Sequence, residues 1–235
     1  MTVADWVAVL RELGSPAEPP GGPVAGELAA QLPPAHRQLL ESVNGVATQR
    51  GAFRLMGFGR SEPALDLPAW NAQETWRFAW DDRIDPYLFF GETGWGDQYA
   101  YRRGESGQLE PEVHFLEGTL LRSEVIAGSF EEFMEGEFLR NARDPYDPFT
   151  VEALARLGPL DAGQHWAYAP SIALGGVESV DNVVVLPAVA AMTIAGDVAT
   201  ALAMSEPGTS PTQVSPWVDD RGRSRMRVDF DRQRR

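Results

Sequence analysis

Residues 87–101 read Tyr87-Leu88-Phe89-Phe90-Gly91-Glu92-Thr93-Gly94-Trp95-Gly96-Asp97-Gln98-Tyr99-Ala100-Tyr101. The run opens on four aromatic or apolar residues, the composition of a buried strand. Gly91, Gly94 and Gly96 then interrupt it, because glycine reaches backbone angles closed to other residues. Alternation resumes at Gln98, with Tyr99 and Tyr101 on one face and Ala100 on the other. The stretch predicts a strand, a tight glycine loop and a second strand in the middle of a sheet. Trp95 and Asp97 fall at the loop tip, where a large ring beside a carboxylate suits recognition. The competing reading folds Trp95 back onto the core and uses Asp97 to cap the turn.

Working towards the N-terminus, residues 81–86 are an acidic turn. A helix is predicted from Pro68, with Ala69, Ala72, Trp76, Ala79 and Trp80 on one face. Residues 52–58 predict a strand, with Phe53 and Leu55 together. Pro33 and Pro34 open a helix carrying Leu39, Leu40 and Val43, and Asn44-Gly45 closes it. Residues 14–23 are a Pro/Gly-rich connector. Before it, Trp6, Val9, Leu10 and Leu13 recur at helical spacing.

Towards the C-terminus, Val113 and Phe115 alternate with Glu112 and His114 in a further strand. Ser129-Phe130-Glu131-Glu132 is a capping box leading a helix with Phe130, Phe133, Met134 and Phe138 inward. Residues 144–148 form a Pro/Asp hinge. Asp147 and Pro148 open a helix bearing Val151, Leu154 and Leu157. Residues 165–169 predict a strand, Ser179 caps a short turn, and 187–204 predict a buried helix. Residues 205–216 read as linker, 217–230 as an edge hairpin around Asp220-Arg221-Gly222, and 232–235 as a fraying end. The expected organisation is an α+β domain over 1–143, a smaller helical segment over 147–204, and a linker with an Arg-rich tail over 205–235.

The 235-residue chain is acidic, with a formal net charge of −14. Its twenty basic residues are all Arg. The tail from Ser205 holds seven Arg against five acids, net +2, which leaves −16 for the rest. Such a body repels nucleic acid and attracts basic proteins. There is no cysteine, hence no disulfide or thiolate chemistry. The start, Met-Thr-Val-Ala-Asp-Trp, has neither a basic region nor an apolar core, so no export signal is expected. The longest apolar stretch, 183–195, is short for a membrane span, which takes about 20 residues. These features predict a cytoplasmic protein with no membrane contact.

Catalytic patterns are sparse. His36, His114 and His165 are the three histidines, and none stands at metal-ligand spacing with another ligand. Gly91, Gly94 and Gly96 fall in the wrong order for a nucleotide loop, and a strand rather than a helix follows. No enzyme activity, metal or cofactor is expected. An enzyme would need a pocket joining Asp97 to His114.

Three pieces in order resemble the SUKH superfamily. Leu32-Pro33-Pro34-Ala35-His36-Arg37-Gln38-Leu39-Leu40-Glu41-Ser42-Val43-Asn44-Gly45 resembles its opening helix, and Gly96-Asp97-Gln98-Tyr99-Ala100 its Gly-Asp strand. Val113-His114-Phe115 and Ile126-Ala127-Gly128-Ser129-Phe130-Glu131-Glu132-Phe133 resemble its last strand and closing helix. Past the hinge, Leu157-Gly158-Pro159-Leu160, Tyr168-Ala169-Pro170, Ala173-Leu174-Gly175-Gly176 and Ser179-Val180-Asp181-Asn182 resemble the C-terminal domain of type VI secretion immunity proteins. The resemblance implies an α+β fold, a central, mostly antiparallel sheet flanked by helices, and no catalysis. It implies an immunity protein that binds and neutralises a cognate secreted toxin, here a basic one of nuclease type. The alternative is a regulatory adaptor of the same superfamily that binds a cellular partner. The expected partner-binding residues are Asp81, Asp82, Asp85, Glu92, Trp95 and Asp97, grouped around the central loop, with Trp95 as anchor and the acids as its charged surround.

Overall fold

Local signals set the order of elements in the computed structural model, which describes residues 1–16, 23–206 and 209–231. Residues 17–22 of the expected connector, 207–208 of the linker and the terminal 232–235 lie outside the described residues. Helix α1 (Val3–Leu13) starts at Thr2, whose hydroxyl accepts from Asp5 N while the Asp5 carboxylate accepts from Thr2 N. It buries Trp6, Val7 and Leu10 and leaves Leu13 exposed. A two-residue strand, β1 (Ser15–Pro16), and a short helix, α2 (Glu27–Gln31), lead to α3 (Pro34–Ser42), which buries His36, Leu39 and Leu40. Asn44 follows and is held in place structurally: its amide donates to Phe58 O and its Oδ1 accepts from Phe58 N.

Strands β2 (Val46–Thr48), β3 (Phe53–Leu55), β4 (Tyr87–Thr93), β5 (Gln98–Arg103), β6 (Leu109–Leu116) and β7 (Ser123–Ala127) join β1 in a seven-stranded sheet. Every neighbouring pair is antiparallel and the spatial order is the chain order, so the sheet is a meander. The fold is α+β. Gly91 does not end its strand: β4 runs on to Thr93, with an irregular register between Phe89 and Gly91. Beside it, the Asn71 side chain donates to Phe89 O (2.7 Å) and accepts from Phe89 N (2.9 Å). It takes the place of β3, which stops at Leu55.

β4 and β5 are covered on both faces, which is why the sequence there reads as a continuous apolar run. One face carries Phe90, Tyr99 and Tyr101 against His36 and Phe133. The other carries Phe89 against Trp76, continued by Trp70 and Trp80. The expected single helix from Pro68 is broken. Asp66 caps a four-residue helix, α4 (Leu67–Trp70), Asn71 turns away to Phe89, and the chain resumes as a 3₁₀ turn at Arg77–Ala79. Burial of the three tryptophans fixes the path even so.

The closing helix is α5 (Phe130–Phe133), a π-helical run (Met134–Phe138) and α6 (Leu139–Arg143), with Phe130, Phe133, Met134 and Phe138 inward as expected. Ser129 Oγ accepts from Glu132 N, but the Glu132 carboxylate accepts from Gly128 N, one residue before the usual capping-box partner. Helix α7 (Pro148–Arg156) is capped by Asp147 and buries Thr150 and Ala153, while Val151 and Leu157 stay exposed. Strands β8 (Gln164–Tyr168) and β9 (Val183–Pro187) form a hairpin whose second strand the sequence does not announce. Helix α8 (Ala188–Met204) follows. Leu160, Trp166, Val180 and Met192 belong to the same buried cluster as Phe53 and Phe89, so the 147–204 segment shares the core of the sheet. Among the described residues no helix is long and apolar enough to cross a membrane.

The last hairpin, β10 (Pro211–Val218) with β11 (Ser224–Phe230), takes up the second half of the expected linker. It docks on the body. Arg225 forks onto the buried Asp197 carboxylate of α8 (Nε to Oδ1, 2.8 Å), Met226 N donates to Oδ2 (2.7 Å), and the Arg223 guanidinium lies 3.7 Å over Phe78. Arg225→Met leaves Asp197 without its fork and should cost about 1–3 kcal/mol in denaturant unfolding. An unchanged midpoint would refute docking through this pair.

His36 is fully buried, stacked 4.2 Å from Phe130, with Nδ1 3.0 Å from the Tyr101 hydroxyl. Burial holds its pKa down at about 3, against 6.5 ordinarily. Between those values the unfolded chain binds the proton and the folded one does not, so stability falls as pH drops below 6.5. From pH 7 to about 4.5 this group alone should remove roughly 2.7 kcal/mol. The double variant His36→Phe, Tyr101→Phe should lose about that much less over the same interval. The comparison cancels the raised carboxyls Asp97 and Glu137, which act with opposite sign.

Candidate functional site

The loop between β4 and β5 is built to be approached closely. Gly94 N donates to Ala52 O (2.7 Å), and Gly94 O accepts from Trp166 N of β8 (2.8 Å). A Cβ on Gly94 would stand 2.7 Å from Leu160 Cδ1 and 2.9 Å from the Trp166 ring, so a larger residue here would push the side chains of the C-terminal segment back from this tip. Gly96 closes the turn at φ +82°, and its N–H donates to Thr93 O. Asp97 then accepts from the Thr93 hydroxyl (2.6 Å) and from Gly118 N (2.8 Å), which ties the β4–β5 loop to the one after β6. Burial pushes the Asp97 carboxyl above its ordinary range. The Thr93 and Gly118 hydrogen bonds oppose that, and the charge of Glu117 adds to it.

Trp95 does fold back, but onto β8 and α7. Its ring stacks on Tyr168 with centroids 5.3 Å apart and planes within 11°, and lies 5.2 Å from Trp166. Its Nε1 donates to Thr150 Oγ1 (2.9 Å), which donates in turn to Asp147 Oδ2 (2.6 Å). A cleft of about 260 Å³ opens between this loop, the 117–119 turn, β8 and α8. Four carboxylates line it: Asp97, Glu117, Asp147 and Glu178. Among the described residues no Arg lines it, and neither Glu117 nor Glu178 is in an ion pair. The Tyr168 phenol is pushed up to about 12, first by burial and then by the charges of Glu178, Asp147 and Asp97.

Below the cleft lies a buried charged group. Arg54 on β3 and Glu92 on β4 face each other across the strands, Nη1 to Oε1 2.9 Å. His165 Nε2 of β8 lies 3.0 Å from Glu92 Oε2. All three are 1% exposed or less. Arg54 Nη2 also donates to Asp161 O (3.2 Å) and Gln164 O (2.9 Å). Burial pushes the Glu92 carboxyl up, but His165 and then Arg54 outweigh it and hold the carboxyl below its ordinary value. Gln98 bridges this group to Trp70, whose Nε1 donates to Gln98 Oε1 (2.8 Å).

The six residues expected at the partner surface therefore lie in three places. Asp81, Asp82 and Asp85 stand at the start of β4, about 20 Å from its other end at the rise of a strand. Asp81 caps a 3₁₀ turn and bonds Arg83 Nε (2.6 Å), while Asp82 and Asp85 are exposed. Glu92 is internal and presents nothing to a partner. Trp95 and Asp97 alone reach the cleft. His114 bonds Ser123 and does not line it, so the cleft does not join Asp97 to His114. Glu117 and Glu178 were not singled out from sequence, Tyr168 was read only as part of a family motif, and Asp147 only as a helix cap. Among the described residues no group of three or more His, Asp or Glu is placed to hold a metal.

No protein-family description matches the chain, and no curated protein sequence does. The crystal structure of Atu4351 from Agrobacterium tumefaciens is similar in fold, with a TM-score of 0.53 and 16% identity over 86% of this chain and 89% of that one. At that identity the likeness concerns the fold alone.

Arg54→Met leaves Glu92 buried with only His165 beside it and should cost about 3–5 kcal/mol in denaturant unfolding. Arg54→Met with Glu92→Gln should recover at least roughly half of that loss. A single variant as stable as the parent would show that the group does not join the two segments.

Proposed function

We propose that this protein is a cytoplasmic, non-catalytic immunity protein of the SUKH type, which binds a cognate basic toxin of nuclease class and holds it inactive. The observation that carries this reading is the cleft at the end of the sheet, lined by four carboxylates and no Arg among the described residues, on a chain of net charge −14. The ordered sequence motifs support it. A nuclease must present cationic groups to its phosphate substrate. An acidic partner steers onto those groups and covers them, which blocks the substrate without any chemistry. On this reading the contact residues are Trp95, Asp97, Glu117, Asp147 and Glu178. The exposed Asp82 and Asp85 add to the long-range field, and Glu92 serves the fold.

The test is capture of partners by the tagged full-length protein from its native host, followed by calorimetry. The expected partner is a single basic protein that loses its nuclease activity on binding and binds at least about tenfold more weakly at high salt. Capture of a housekeeping or cell-envelope protein with no toxic activity would replace the immunity reading with the adaptor reading.

A further inference from the structure

We propose that the cleft is a receptor for one guanidinium, an arginine side chain that a protein partner inserts between the Trp95–Tyr168 wall and the carboxylates of Glu117 and Glu178. The identity of the partner rests on the reading above, whereas the chemistry of the cleft does not.

Three observations lead there. The first is the pairing of an aromatic wall with unspent negative charge. Trp95 and Tyr168 stack with planes within 11°, and the neighbouring carboxylates Glu117 and Glu178 have no ion-pair partner among the described residues. A planar cation satisfies both, lying on a ring face while its N–H groups fork onto carboxylates. The second is size. A cleft of about 260 Å³ falls below small-molecule sites, which start at about 300 Å³, and suits one inserted side chain. Nor do its carboxylates converge as a metal site would, since among the described residues no metal-holding group exists.

The third observation is His165. Its ring is 1% exposed and lines the cleft, and neither ring nitrogen makes a hydrogen bond, although Nε2 lies 3.0 Å from the Glu92 carboxylate. Nδ1 in particular has no partner among the described residues. It faces Gly96 at the cleft floor, where a Cβ would come within 3.2 Å of it. A buried polar atom left unpaired is a cost that a hydrogen-bonding group entering the cleft removes.

The experiment titrates the full-length protein with N-acetyl-arginine amide and with its neutral isostere N-acetyl-citrulline amide, following Trp95 and Trp166 by fluorescence or NMR. The arginine probe should bind with a Kd of about 1–10 mM, and the citrulline probe at least about tenfold more weakly. Glu117→Gln with Glu178→Gln keeps the shape and removes the charge. It should weaken arginine binding about tenfold, with an unchanged melting temperature. Equal binding of the two probes, or no effect of the double variant, overturns the proposal. Agmatine binding tenfold more tightly than the capped arginine also overturns it, in favour of a small free amine. The two readings fail separately. If the arginine probe binds as stated but no toxin is captured, the cleft assignment stands and the immunity reading falls. If a toxin is captured whose affinity the double variant leaves unchanged, the reverse holds.

Discussion

The buried group of Arg54, Glu92 and His165 is the constraint on which the rest of the molecule depends. Arg54 and Glu92 are opposite each other on adjacent strands, so their distance is fixed by sheet register and not by side-chain reach. Neither charge can be buried alone, because the desolvation of each is offset only by the other and by added hydrogen bonds. Arg54 spends its remaining donors on Asp161 O and Gln164 O, and Glu92 has His165 at its second oxygen. Those three contacts all lie past the hinge. The pairing that completes the sheet is therefore also what seats the C-terminal segment, and the sheet and that segment form one core.

The cleft is a consequence of that seating. Gly94 accepts the Trp166 backbone at the tip of the β4–β5 hairpin, which brings β8 against the loop and turns Trp95 onto Tyr168. Asp97 pins the same loop to Gly118 and so sets Glu117 beside it. Asp147 reaches the cleft because it caps α7, and Thr150 links it to Trp95. Trp95, Asp97 and Asp147 each also have a local structural task. What gives the cleft its character is the sum: negative charge with no matching Arg in its lining among the described residues, next to aromatic surface.

Much of the fold was legible along the chain. The aromatic run at 87–90, the alternation at 98–101 and the apolar spacing at 130–138 each report a local period, and each element is present. The errors share a cause. Pro68 to Trp80 has helical spacing, yet Asn71 leaves the helix to complete the hydrogen bonds of Phe89, a demand set by a strand distant in sequence. Residues 183–187 read as the approach to a helix and pair instead with β8. The candidate site was legible only in part. Trp95 and Asp97 were found because the glycine loop marks them. Glu117, Tyr168 and Glu178 carry no such mark, and Asp81, Asp82 and Asp85 were joined to the loop by nearness in sequence, which the length of β4 undoes.

By itself the sequence determined that the chain is acidic, that it mixes helices with strands around a central strand, glycine loop and strand, and that its tail is rich in Arg. These properties depend on composition and on periodicity within a few residues, which side-chain burial and backbone hydrogen bonding enforce locally. Only the tertiary structure decided that Glu92 is internal, that Trp95 faces Tyr168, and that four carboxylates from four separate parts of the chain share one cleft. Their meeting depends on contacts between residues far apart in the chain, 55 positions for Trp95 with Thr150 and 110 for Arg54 with Gln164, and no local period encodes a partner at that range.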